Sequence, residues 1–137
     1  MYFGGSNVVQ ADVLVTLNGR QPFDLQPDQD LLIELVLPDF GGVPSNWREL
    51  LETLVIPRLA RGDRVLAFCS ASHGRTGTFL ASLIALLESA DETPDPIAAV
   101  RKRHCQEAVE TLAQATGIFA LRGQPLPRRY RKGAFHW

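Results

Sequence analysis

RVLAFCSASHGRTGTFLASLIALLESA, residues 64–90, is the stretch on which the reading of this chain turns. RVLAFC (64–69) is a short apolar run suited to a buried strand, and SASHGR (70–75) is small and polar. TGTFLASLIALLESA (76–90) is apolar on nearly every side, as a buried central helix is. A strand, a short loop and a helix in that order aim backbone N–H groups and the positive end of a helix dipole at one point, which favours an anion. A cysteine and an arginine bracket the loop. The same field and the Arg75 guanidinium stabilise a thiolate at Cys69, which is then a nucleophile at neutral pH. Arg75 offers paired planar donors that match two oxygens of a phosphate, and the amides of Ser70, Ala71, Ser72, His73 and Gly74 can serve the others. Such a loop binds its substrate and stabilises the charge of the transition state together. Taken alone, a cysteine at a strand end is more often a small buried hydrophobe.

The rest of the chain sets the frame. Its 137 residues suit one compact domain, 1–137, that buries a core without disulfides or structural metal. With 14 basic against 15 acidic residues the formal net charge is −1, so no global charge favours nucleic acid. Two cysteines, Cys69 and Cys105, are too few for a secreted disulfide framework. MYFGGSNVVQ lacks the pattern of a secretory leader, and no run approaches the length that spans a bilayer. A cytoplasmic location is the expectation, where a thiol stays reduced.

ADVLVTLNG (11–19) and LLIELVLPD (31–39) read as strands, the second stopped at Pro38 and followed by the glycine and proline loop FGGVP. Ser45 is placed to cap a helix through NWRELLETLVIPRLARG, kinked at Pro57 and ended by Gly62. Asp95 or Thr93 starts a further helix through IAAVRKRH, and 106–121 reads as the last one. Arg101, Lys102, Arg103, Arg128, Arg129, Arg131 and Lys132 read as solvated charges, with attraction of an anionic substrate or partner as the alternative, and the basic tail 122–137 reads as flexible or partly extended. Strands before each loop and helices in the second half predict an α/β domain with a small central, mostly parallel sheet flanked by helices.

CSASHGRTG resembles the signature loop HCxxGxxR(S/T) of the cysteine-dependent protein tyrosine and dual-specificity phosphatases, with Cys69, Arg75 and Thr76 matching it. The C-x5-R spacing also occurs in sulfurtransferase-like and arsenate-reductase-like loops, and order separates them. LPDFGGVP resembles the general-acid loop WPDxGVP of the family and precedes the cysteine, which places Asp39 as the acid. AVETLAQ (108–114) resembles the segment that carries a water-positioning glutamine, here Gln114. The resemblance implies a phosphatase-like fold of the dual-specificity type and attack by Cys69 on a phosphomonoester. A thiophosphate intermediate follows, which water hydrolyses, with Thr76 hydrogen-bonded to the departing sulfur. Phe68 and Ser72 depart from the signature, standing where it has histidine and glycine.

No cofactor or metal is expected; His104 and Cys105 are adjacent but have no second ligand pair. The expected partner is a phosphorylated protein or peptide, with no nucleic acid and no membrane insertion, and the sequence sets no oligomeric state. No lysine lies between Cys69 and Arg75 to meet additional phosphates, which favours a singly phosphorylated target. Phosphoinositides, inositol phosphates, RNA 5′-phosphates and phosphate binding without turnover stay open as alternatives.

Overall fold

The computed structural model describes residues 2–3, 11–18, 31–38, 41–69 and 73–131. They gather into two compact units, Met1–Val36 with Asn46–Ser70, and Leu37–Ser45 with Ala71–Trp137.

The first unit holds a parallel sheet of β1 (Tyr2–Phe3), β2 (Val13–Thr16), β3 (Leu31–Glu34) and β4 (Val65–Phe68), in the order β1-β4-β2-β3. Every pairing is parallel, with Val13 opposite both Leu31 and Val65. All four residues of β2 are buried, as in a central strand of a parallel sheet. β3, at the edge, ends at Glu34, short of the stop expected at Pro38. The residues after it keep the alternation of a half-buried strand, Leu35 buried and Val36 exposed. The α/β class and parallel sheet read from the sequence are those observed.

Trp47, Leu51 and Val55 recur every four residues and are buried, which makes one apolar stripe along the helical segment 47–60. The segment opens as α1 (Trp47–Leu50) behind Asn46 rather than Ser45, with no side-chain cap. A π-helical turn, Leu51–Val55, follows, and α2 (Ile56–Ala60) completes it. The widened turn, closed by Ile56 N–H on Leu51 O, lies directly before Pro57 and absorbs the kink expected of that proline. Gly62, at φ +88°, ends the segment in the left-handed conformation that glycine adopts without strain.

The second unit holds α3 (His73–Leu87), α4 (Pro96–Arg103) and α5 (Leu112–Ala120), and α3 packs on both of the others. Residues 74–83 of α3 are buried, as its composition predicts, and the hydroxyls of Thr78 and Ser82 are satisfied within the helix. Thr78 Oγ1 donates to Gly74 O and Ser82 Oγ to Thr78 O, both at 2.6 Å. Asp95 caps α4 by accepting from Ala98 N–H at 3.0 Å, one of the two starts expected there.

Carbonyls at the end of α3 and beyond it have a common partner. Arg122 donates to Ala85 O (3.0 Å), Glu88 O (2.8 Å) and Thr93 O (2.6 Å), so one guanidinium ties the end of the helix to the connection that leads to α4. Tyr130, in a 3₁₀ turn over Arg128–Tyr130, donates to Asp95 Oδ2 at 2.7 Å. Burial and that bond push its hydroxyl up to about 12. The basic tail is thus held against α3 and α4 as far as Arg131. Four of the arginines expected to be solvated have defined partners, Arg131 through Leu126 O at 2.8 Å. Arg101 grips backbone carbonyls, Arg103 pairs with Glu88, and Arg129 pairs with Asp95 and lies 5.1 Å from the Tyr130 ring centre.

Arg103 donates to both carboxylate oxygens of Glu88 (2.7 and 3.0 Å), and Thr93 Oγ1 also donates to it. Arg103 first and Thr93 second hold the Glu88 carboxyl down to about 2 from its ordinary 4.5. Between those values the folded chain binds fewer protons than the unfolded one. The stabilisation is therefore complete above pH 4.5 and is lost as pH falls through 2. With Arg103 half-exposed and solvent screening the pair, about 1 kcal/mol is expected. Urea titrations of wild type and Glu88→Gln should differ by that amount at pH 6 and converge towards pH 2; an equal gap at both would refute the assignment.

Candidate active site

The ladder carries β4 to its last residue. Leu17 N–H donates to Phe68 O at 3.0 Å, so the backbone is held up to the position before Cys69. Cys69 is half-buried and in no disulfide. Ser70, Ala71, Ser72 and Asp39 lie outside the described residues.

α3 begins at His73, three residues earlier than expected from the apolar run, so His73, Gly74, Arg75 and Thr76 form its first turn. Arg75 and Thr76 are buried polar residues, 9% and 6% exposed. The first N–H groups of a helix have no partner within it, and here one is taken up from outside. Gly74 N–H donates to Glu110 Oε1 at 2.5 Å. The carboxylate lies so close over Gly74 that a Cβ there would stand 2.3 Å from Oε1. Any larger residue here would displace the carboxylate from where it stands.

Glu110 reaches Gly74 because the chain before α5 is not helical. The helix expected over 106–121 starts at Leu112. Val109, a β-branched residue, takes φ +66°, a strained left-handed conformation. Two interactions hold it there. Arg101 Nε donates to Ala108 O (2.9 Å) and Arg101 Nη2 to Val109 O (3.1 Å). α3 approaches so closely that a Cβ on Gly77 would stand 2.6 Å from Ala108 Cβ.

Gln114 occupies the N3 position of α5 in a capping box. Thr111 Oγ1 accepts from Gln114 N–H at 3.1 Å, while Gln114 Oε1 accepts from Thr111 N–H at 3.2 Å and from Glu110 N–H at 2.8 Å. Its side-chain oxygen therefore serves the cap and the backbone of Glu110. The beginnings of α3 and α5 are joined through Glu110, a residue the sequence reading passed over as part of a helix. The one signal that could have found it is the pattern Thr111-x-x-Gln114, which marks a helix start at 111.

The glycine loop that continues from Asp39 rests on the same end of α5. Gly42 and Val43, with Thr111, Leu112, Ala113, Thr116 and Gly117, line an open apolar groove of about 600 Å³. The loop can lie this close because Gly117 has no side chain: a Cβ there would stand 2.5 Å from Val43 Cγ2. Among the described residues no cluster of three or more His, Cys, Asp or Glu could hold a metal ion, and no helix is long and apolar enough to cross a membrane.

Among solved structures, Tk-PTP in its active form, a protein tyrosine phosphatase, matches with a TM-score of 0.63 at 26% identity. The match covers 83% of this chain and 80% of that one. The chain has a protein tyrosine phosphatase-like fold. A glycine-to-alanine mutant form of Tk-PTP matches similarly, with a TM-score of 0.61 at 27% identity, over 82% of this chain and 77% of that one. No protein-family model and no curated protein matches the chain. Within the phosphatase-like fold, β4 leads into Cys69, the first turn of α3 carries Arg75, and the start of α5 carries Glu110 and Gln114.

Proposed function

We propose that the chain is a single-domain, cysteine-dependent phosphomonoesterase of the dual-specificity type, which acts on phosphotyrosine and on phosphoserine or phosphothreonine in proteins. The observation that carries this reading is the placement of Arg75, buried in the first turn of a 15-residue helix, six positions after a cysteine that directly follows a sheet strand. The likeness to a tyrosine phosphatase supports it.

In this mechanism the Cys69 thiolate attacks phosphorus, a sulfur–phosphorus bond forms, and the ester oxygen leaves with a proton from Asp39. Water then attacks the thiophosphate while Asp39 takes its proton. Phosphate departs, and the thiolate returns with Thr76 donating to the sulfur. Arg75 and the amides of residues 70–74 hold the phosphoryl oxygens as charge builds on them. Gln114 positions the attacking water, the role that the family resemblance implies for it. The chemistry suits a reducing, cytoplasmic compartment.

The test is phosphate release from matched phosphotyrosine and phosphothreonine peptides and from inositol phosphates. Turnover of the peptides, with little from inositol phosphates, is expected. The reverse order would move the substrate class, and stoichiometric phosphopeptide binding with no release over hours would make the protein a binding module.

A further inference from the structure

We propose that the Glu110 carboxylate is a built-in competitor for the substrate phosphate at the first turn of α3, an inference that rests on the phosphatase reading above. A backbone N–H has one strong hydrogen bond to give, and that of Gly74 is given to Glu110 Oε1 at 2.5 Å. Gly74 precedes Arg75 and is one of the amides assigned to phosphate. A phosphate oxygen can use it only by taking the place of the carboxylate oxygen, and a dianion arriving beside Glu110 also meets a like charge.

The contact is built rather than incidental. Gly74 alone among residue types leaves room for the carboxylate, as the 2.3 Å approach to a Cβ shows. The backbone that delivers Glu110 is set from three sides: by the left-handed Val109, by Arg101 on the two preceding carbonyls, and by Gln114 Oε1 on the Glu110 N–H. A strained β-branched residue held by a guanidinium is a costly way to place a carboxylate that only decorates the surface. The arrangement holds anion affinity below what the loop could reach and keeps the first turn of α3 closed until a phosphate displaces its occupant.

Calorimetric titration with inorganic phosphate tests this on wild type, Glu110→Gln and Glu110→Ala. Competition predicts tighter binding in both variants. About tenfold is expected for Glu110→Gln, which keeps an acceptor but loses the charge, and at least as much for Glu110→Ala. KM for an aryl phosphate should fall with the phosphate Kd. The Gly74 amide resonance of wild type should move, on adding phosphate, towards its position in phosphate-loaded Glu110→Ala. Unchanged or weaker phosphate binding in folded Glu110→Gln overturns the proposal and makes Glu110 a support of the loop, while the phosphatase reading stands. Absence of phosphate binding in all three proteins removes the phosphatase reading itself. If Glu110→Ala does not fold, Glu110→Gln decides alone.

Discussion

Cys69→Ser is expected to lower phosphate release from an aryl phosphate by at least about 10⁴-fold while leaving inorganic phosphate bound. The two halves of the expectation have different physical sources. A serine hydroxyl is almost wholly protonated at neutral pH and a far weaker nucleophile than a thiolate, so the first chemical step stops. In the proposed mechanism binding depends on Arg75 and on backbone amides, which the substitution does not touch. Loss of one negative charge beside the anion should, if anything, favour binding. Initial rates paired with calorimetric titration separate these effects. Equal rates in wild type and variant would show that Cys69 is not the nucleophile, whatever the fold.

Arg122→Ala is expected to have the largest effect on stability, about 3 kcal/mol, with Tm lowered by roughly 10 °C. The side chain answers the carbonyls of Ala85, Glu88 and Thr93 at once, and a methyl group answers none. Two of those groups, Ala85 O and Glu88 O, lie at the end of α3, the helix on which α4 and α5 both pack, and Thr93 O lies in the connection to α4. Part of the loss is recovered by water, which keeps the figure below a full desolvation penalty for each carbonyl. Arg122→Lys should restore little, because a single ammonium cannot span three acceptors set by a planar fork. Thermal and urea denaturation of the three proteins measure this, and a change below about 0.5 kcal/mol for Arg122→Ala would show that the carbonyls are satisfied without it.

How much of this was legible in the sequence depended on whether local chemistry or distant contact sets each element. The runs that became β2 and β4 are β-branched and apolar with turn residues beyond them, and they formed where expected. Asp95 and Gly62 act through their own neighbours, so the start of α4 and the end of α2 were readable too. The segment before α5 was not. EAVETLAQATGIFAL keeps apolar residues at helical spacing throughout, and Val109 leaves the helical region only because Arg101 and the bare face of Gly77 hold its neighbours. No property of the residue itself announces that. The early start of α3 has the same origin, since it depends on a carboxylate 36 positions away. In the candidate site, spacing picks out Cys69, Arg75 and Thr76. Glu110 is not marked by any motif, and Gln114, picked out by its resemblance to a water-positioning residue, also caps α5 with its side-chain oxygen.

The sheet has a consequence for the order in which the protein acquires its properties. Each pairing is parallel, so each needs a long connection: Tyr2 lies opposite Leu66 and Val13 opposite Val65. α3 and α4, by contrast, are neighbours in sequence. Closing long loops before any pairing rewards them is slow, whereas helices and their local contacts form early. β4 is the strand that leads to Cys69, and it takes part in the longest of these closures. In refolding, helical signal should therefore return first and phosphate release last, because Cys69, the proposed nucleophile, is positioned only when the most distant segments of the sheet have met.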